Sequence, residues 1–140
     1  MYKTLLIILA VFLFLSANAA AETNITRQIE IFDIPKGEVI HNVALHKDLQ
    51  RDAAIFIEEI TDIYRKFNPI PRSGFMIRIP FERAIAIKNR WMDDLVDEVM
   101  IIFPDQELPY LMVFDNENNP YFFTFKGDTV SFLVKLNFNR

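Results

Sequence analysis

The chain of 140 residues contains no cysteine, only three glycines and only two histidines. Without cysteine it can form neither a disulfide nor a thiolate metal site. Its three glycines are far apart, so they cannot build a glycine-rich loop that binds phosphate. Stability must therefore come from a hydrophobic core, which the 14 phenylalanines can supply.

The two histidines, and the two serines beyond residue 20, show no catalytic or metal-binding pattern. His41 and His46 lie near Asp48, but a zinc site needs three or four ligands, and the chain has no HExxH sequence. Ser73 and Ser131 lie outside any Gly-x-Ser-x-Gly turn. The sequence therefore predicts no catalytic residue, no metal and no cofactor.

The densest patch of charge consists of Asp93, Asp94, Asp97 and Glu98. It has neither the spaced oxygens nor the glycine of a calcium-binding loop, so we interpret it as a solvated bend. A pair of carboxylates that hydrolyses a glycosidic bond stays an open alternative, because that chemistry depends on the distance between carboxyl groups.

The first 19 residues have the pattern of a signal peptide. Lys3 precedes an apolar run over residues 5–15, and Ala17 and Ala19 fit a small-x-small cleavage site. The run is shorter than the about 20 residues of a membrane-spanning helix, so a retained anchor is the less favoured alternative. We expect an exported protein whose mature part, residues 20–140, forms a single domain.

Composition limits the partners of the mature domain. Removal of Lys3 with the signal leaves 14 basic against 19 acidic side chains, a net charge of −5. This charge argues against nucleic acid as a partner, and membrane contact is expected only through an uncleaved signal segment. A cysteine-free exported domain is more typical of a bacterial periplasmic or extracellular protein than of an animal one. Asn24 begins a glycosylation sequon that matters only in a eukaryotic secretory pathway.

Two short β-like runs, residues 28–34 and 38–45, flank Pro35, Lys36 and Gly37. Proline suits the first corner of a type I turn, and glycine suits a position that closes it. The pattern predicts an N-terminal β-hairpin.

Residues 48–67 have the apolar spacing of a long amphipathic helix. Asp48 suits its start, Arg65 and Lys66 suit its last turn, and Pro69 follows its end. The buried stripe recurs every three or four residues. It comprises Leu49, Ala53, Phe56, Ile57, Ile60, Ile63, Tyr64 and Phe67.

Six apolar side chains in the next segment, residues 75–87, all lie at odd positions: Phe75, Ile77, Ile79, Phe81, Ile85 and Ile87. This period predicts two strands, or one strand that bends near Pro80, where a backbone donor is missing. A helix over residues 82–100 is the competing interpretation, because part of this segment also matches helical spacing. Further strands are predicted at residues 96–103 and 110–114.

The last segment, residues 120–138, predicts a second hairpin. Gly127 and Asp128 suit a two-residue turn. Closing the turn there pairs Phe123 with Phe132 and places hydroxyl side chains together on the other face.

Together these elements predict an α+β fold in which one long helix packs on a curved antiparallel β-meander, with the hairpin of residues 28–45 beside it. Such an arrangement resembles the cystatin-like and NTF2-like architectures. The resemblance implies a fold only, since such folds support many functions.

Two groups of residues are candidates for binding. Trp91 and Arg90 are residue types that often dominate recognition surfaces, although Trp91 also extends the apolar alternation. Other candidates come from two strands that are apolar on both faces and therefore need a cover on each face. One helix covers one face, so we expect the N-terminal hairpin, a partner subunit in a homodimer, or an apolar ligand on the other. The candidate binding residues of these strands are Ile101, Phe103, Leu111 and Val113.

The sequence favours an exported, non-enzymatic module that binds a protein or an apolar ligand. A small extracytoplasmic hydrolase or lyase with a pocket between helix and sheet is the first alternative. An envelope structural or assembly protein is the second alternative.

Overall fold

The computed structural model describes residues 27–139, which form one seven-stranded sheet and two short helices. The expected signal peptide and Asn24 lie outside these residues. In the described part of the chain, no helix has the length and apolarity needed to cross a membrane. The elements are β1 Gln28–Asp33, β2 Glu38–Ala44, α1 Lys47–Glu58, β3 Ile60–Ile63, β4 Gly74–Lys88, β5 Asp93–Pro104, β6 Tyr110–Phe114, β7 Pro120–Phe125 and α2 Thr129–Lys135.

All neighbouring strands are antiparallel, in the order β2-β1-β4-β5-β6-β7-β3. The predicted N-terminal hairpin is confirmed as β1 and β2. Gly37 closes its turn with φ +68°, and its N–H donates to the carbonyl of Asp33. This hairpin extends the edge of the sheet, so it does not cover a face as expected.

The predicted meander is confirmed as β4 to β7. β4 is one strand of 15 residues that pairs with β5, and its register shifts between Pro80 and Ile85. The bend expected near Pro80 is therefore present, whereas the alternative helix over residues 82–100 is wrong. Strand pairing gives the reason, because residues 85–88 of β4 pair with residues 93–96 of β5 and so use the backbone groups that a helix would need.

The predicted helix over residues 48–67 is wrong beyond Glu58. Residues Ile60–Ile63 instead form β3 on the outer edge of β7, and the N–H of Lys126 donates to the carbonyl of Glu59 at 3.0 Å. Ile60 and Ile63 satisfy helical spacing, but β-branched side chains also suit a strand. Pairing with β7 decides between the two structures.

The predicted hairpin over residues 120–138 is correct only for its first arm, β7. Gly127 and Asp128 do not form a hairpin turn, because Asp128 caps α2 and accepts from the N–H of Ser131 at 2.9 Å. β3 already occupies the outer edge of β7, so the second arm has no strand to pair with. Phe132 reaches the core from a helix instead.

Both helices pack on one face of the sheet, which we call the inner face. Phe56 of α1 contacts Phe132 of α2 edge to face, with ring centroids 5.6 Å apart. Under the helices lies the main core. Its innermost strand residues are Ile29, Ile31, Ile77, Ile79, Val99, Ile101, Leu111, Val113 and Phe123.

The opposite, outer face carries a smaller apolar cluster around Ile102, Tyr110 and Met112. Residues 64–73 connect β3 to β4 and cover part of it. The ring of Tyr64 stacks on that of Tyr110 at 3.9 Å, and the Tyr110 hydroxyl donates to the carbonyl of Pro69. A loop of the same chain thus covers part of the second apolar face. The sequence had predicted the N-terminal hairpin, a partner subunit or an apolar ligand in this place.

Candidate binding groove

The four apolar candidates of the central strands are buried within one chain. Ile101, Leu111 and Val113 are fully buried under the helices, and Phe103 is 7% exposed. The first three therefore belong to the core, where no ligand or partner can reach them. Phe103 differs from them because it borders an open groove.

Arg90 and Trp91 lie at the other end of the molecule, in the turn between β4 and β5. The Arg90 guanidinium carbon is 4.3 Å from the centroid of the Trp91 ring, which is a cation–π contact. Trp91 is half-buried, and its ring is 5.8 Å from that of Phe123. Arg90 also approaches Asp62 at 3.6 Å. The predicted candidates thus do not form one site.

The groove beside Phe103 has a volume of about 650 Å³, and we call it the aromatic groove. Its floor consists of Phe75, Phe103 and Phe138. Phe75 and Phe103 stack with centroids 4.6 Å apart, and Phe138 meets Phe75 edge to face at 5.0 Å. These rings pack against one another, so the floor is an apolar aromatic cluster.

One wall of the aromatic groove is a face of α2. Val130, Leu133 and Val134 occupy positions i, i+3 and i+4, which share one side of a helix. Val130 is 72% exposed and Val134 is 69% exposed. This wall therefore presents aliphatic side chains to solvent.

The other wall is the loop between β5 and β6. Pro104 and Pro109 bracket it, and Asp105 and Glu107 line the groove between them. Glu107 accepts a hydrogen bond from the Tyr64 hydroxyl at 2.6 Å and pairs with Lys66. All titratable side chains that line the groove are acidic.

Gly74 fixes the position of the floor, because it starts β4 opposite Pro104 at the end of β5. Its φ is +113°, and a Cβ there would lie 2.1 Å from the carbonyl oxygen of Phe103. Only glycine allows the two backbones to approach so closely. Phe75 and Phe103 consequently lie side by side.

A further apolar side chain is exposed beside the groove. Leu108 lies in the acidic loop between the lining residues Glu107 and Pro109, and it is 86% exposed. Together with Val130 and Val134, it adds a third exposed aliphatic side chain to the groove. Clustering of this kind marks an interaction site more often than isolated exposed residues do.

The chemistry available in the groove is apolar contact together with negative charge. Its lining includes the hydroxyl of Thr129 but no histidine. Across residues 27–139, no three side chains of His, Cys, Asp or Glu are grouped so that they could hold a metal ion. Nothing in the groove resembles a nucleophile that is activated by a neighbouring base.

The helical wall of the groove differs from the predicted strand. The sequence predicts a strand here because a turn at Gly127 and Asp128 would pair residues 129–135 with β7. A signal for the helix was present in Asp128, which precedes Ser131 by three residues, and in the spacing of Val130, Leu133 and Val134.

Comparisons with known proteins give no relative for this chain: no family model, no curated protein and no solved structure matches it.

Proposed function

We propose that this protein is an exported, non-enzymatic binding module that holds an apolar segment of a partner polypeptide in the aromatic groove. The observation that carries the proposal is the groove itself, in which the packed rings of Phe75, Phe103 and Phe138 lie between an aliphatic helix face and an acidic loop. Aromatic grooves of this kind can accept helical or extended peptides.

The openness of the groove favours a polypeptide over a small apolar ligand. A small-molecule site buries about 70–90% of its ligand. Here the wall residues Val130 and Val134 remain mostly exposed, so they would leave much of a small ligand in water. A longer segment can cover the groove and also reach Leu108 at its rim.

The charge of the groove favours a basic residue in the bound segment. Asp105 and Glu107 provide two carboxylates, and Lys66 pairs with Glu107 from outside the groove lining. A lysine or arginine beside the apolar part of the ligand would approach negative charge. This attraction contributes more to specificity and to the rate of association than to affinity.

The alternatives of a hydrolase or lyase and of an envelope assembly protein have less support. An enzyme of the first kind needs a titratable group inside a pocket, whereas the carboxylates here lie on an exposed loop. An assembly protein would use the same groove for a structural partner. The likeness to cystatin-like and NTF2-like folds supports none of these choices, since the helix that suggested it ends early.

Binding of two synthetic amphipathic peptides tests the proposal. One has leucine and lysine at helical spacing, and the other has glutamate in place of lysine. We expect the basic peptide to bind and the double variant Val130→Asn, Val134→Asn to weaken that binding about tenfold, because it removes the aliphatic wall. Fluorescence anisotropy with labelled peptide measures the dissociation constants.

The control is Leu95→Asn, which changes an exposed apolar residue of β5 outside the groove. This variant should bind as tightly as the parent. Equal affinity of the double variant, or stronger binding of the glutamate peptide, would contradict the proposal.

A further inference from the structure

Three of the five methionines of the chain lie together on the outer face of the sheet. Met76, Met100 and Met112 belong to the neighbouring strands β4, β5 and β6, and we call them the methionine row. Met112 is part of the small outer cluster, and Met76 and Met100 pack against that cluster. None of the three lines the aromatic groove, so the row is separate from the proposed peptide site.

Strand register brings the thioether groups within reach of one another. Met100 and Met112 are paired directly, which places their Cβ atoms about 4.5–5.5 Å apart. Met76 pairs with Ile102 and is therefore the diagonal neighbour of Met100, at a distance of about 7–8 Å. Each methionine side chain has three rotatable bonds, so the sulfurs can turn towards a common point beside Met100.

The two faces of these three strands differ in residue type. The buried inner positions include Ile77 of β4, Ile101 of β5 and Val113 of β6, which are the β-branched residues that suit a strand. Methionine is not among the residues enriched in strands. The need for an apolar outer face therefore does not explain the methionine row. The property that methionine adds to an aliphatic side chain is a polarisable sulfur atom.

The row is open to a small solute, and the charges beside it favour a cation. Met76 and Met100 are half-buried, so both keep contact with solvent. Arg78 is the partner of Met100 on β4, and its guanidinium donates to Glu98 at 2.6 Å and to Glu30 at 3.1 Å. Two carboxylates thus outweigh one guanidinium next to the row, and their net charge attracts a positive ion.

We propose that the methionine row binds a soft monovalent metal ion of the Cu(I) class through thioether sulfur. Thioethers are soft ligands that select Cu(I), whereas Mg²⁺ and Ca²⁺ prefer oxygen. Met100 and Met112 supply the two nearest sulfurs, and Met76 supplies a third from the next strand. The histidines lie elsewhere, His41 on β2 and His46 before α1. The chain has no cysteine, so no thiolate competes for the ion.

Isothermal titration calorimetry with Ag(I) tests the site, because this ion has the charge and the sulfur preference of Cu(I) but needs no reductant. The purified chain should bind one Ag(I) per chain and should not bind Mg²⁺. Met100→Leu removes the central sulfur with little change in volume, and we expect it to raise the dissociation constant at least tenfold. Met112→Leu should act similarly. Met76→Leu should weaken binding less, because its diagonal position is farther away.

Met92→Leu is the matched control, since Met92 is 5% exposed and belongs to the main core under the helices. This variant and the double variant His41→Asn, His46→Asn should bind Ag(I) as tightly as the parent, and circular dichroism should show the parent fold in every variant. Absence of saturable binding up to about 1 mM Ag(I) overturns the proposal. Parent affinity in Met100→Leu, or an equal loss in Met92→Leu or in the histidine variant, overturns it as well.

Discussion

Gly74 determines the floor of the groove because it has no side chain. Two conditions act on it together: a positive φ of +113° and the carbonyl oxygen of Phe103 at 2.1 Å from the position of a Cβ. Gly37 has a positive φ of +68° but no atom within 4 Å of that position. A side chain at position 37 would therefore meet only an unfavourable φ, whereas a side chain at position 74 would meet an unfavourable φ and a steric clash.

We expect Gly74→Ala to lower the free energy of unfolding by about 3 kcal/mol or more, because the backbones of β4 and β5 must separate. Gly37→Ala should cost only about 1 kcal/mol, since it adds strain without a clash. Urea denaturation of both variants provides the comparison. Similar losses for the two would mean that the contact with Phe103 does not limit position 74.

Tyr64 and Tyr110 form a stacked pair whose ionisation is coupled to folding. Burial and the neighbouring Tyr110 raise the pKa of Tyr64 from 10.0 to about 12, and burial also raises the pKa of Tyr110. The folded state therefore keeps protons that the unfolded state releases. The contribution of this pair to the free energy of unfolding is fully present below pH 10, and it falls as the pH rises from 10 towards 12.

Tyr64→Phe should make the free energy of unfolding less sensitive to alkaline pH than that of the parent. Below pH 10 the variant should lose at most about 1 kcal/mol, because the hydroxyl that donates to Glu107 is removed. Denaturant titrations on either side of pH 10 measure both effects. A parent and a variant with the same alkaline slope would show that Tyr64 titrates normally.

Among the elements, α1 contributes a buried stripe to the core. Leu49, Ala53, Phe56 and Ile57 are buried on the side that faces the sheet, and Glu58 is exposed. The helix is only 12 residues long, so most of its stability comes from this packing. Substitutions on its two sides should therefore differ greatly in their effects.

Ile57→Asp should cost about 4 kcal/mol, because it places an unpaired carboxylate in the core. Glu58→Ala, one residue further along, should stay within about 0.5 kcal/mol. Thermal unfolding of both variants checks the difference. Comparable losses would mean that the stripe does not face the core.

α2 is a helix that local propensity does not favour, since three of its seven residues are β-branched. Its position depends on tertiary contacts. Phe132 is buried against Phe56, and Lys135 pairs with Asp52 of α1 at 2.6 Å. The exposed pair contributes little energy, so burial of Phe132 is the main anchor of this groove wall.

On the scale of the whole molecule, the proposed export would determine which partners the aromatic groove can meet. The signal pattern of residues 1–19 predicts that the mature chain begins at or near Ala20. Intact mass spectrometry of the secreted or periplasmic protein measures this directly. A chain that starts at Met1 and remains in the membrane fraction would instead support a retained anchor.

Much of the sheet could be predicted from the sequence. The alternation over residues 75–81 fixes which face of β4 is buried, and Pro104 and Pro109 mark the loop between β5 and β6. The candidate site could not be predicted in the same way, because Phe103 has the same place in the apolar pattern as Ile101 and Leu111. Only the position of α2 beside Phe103 separates a groove residue from a core residue.

The sequence by itself determined the N-terminal hairpin, the meander and the buried stripe of α1, because local periodicity and turn residues agree in these segments. Tertiary structure decided residues 60–63 and 129–135, where apolar and β-branched residues suit either a helix or a strand. β7 has one free edge, and β3 occupies it. The segment that follows β7 must bury Phe132 in another way, so it forms the helix that completes the aromatic groove.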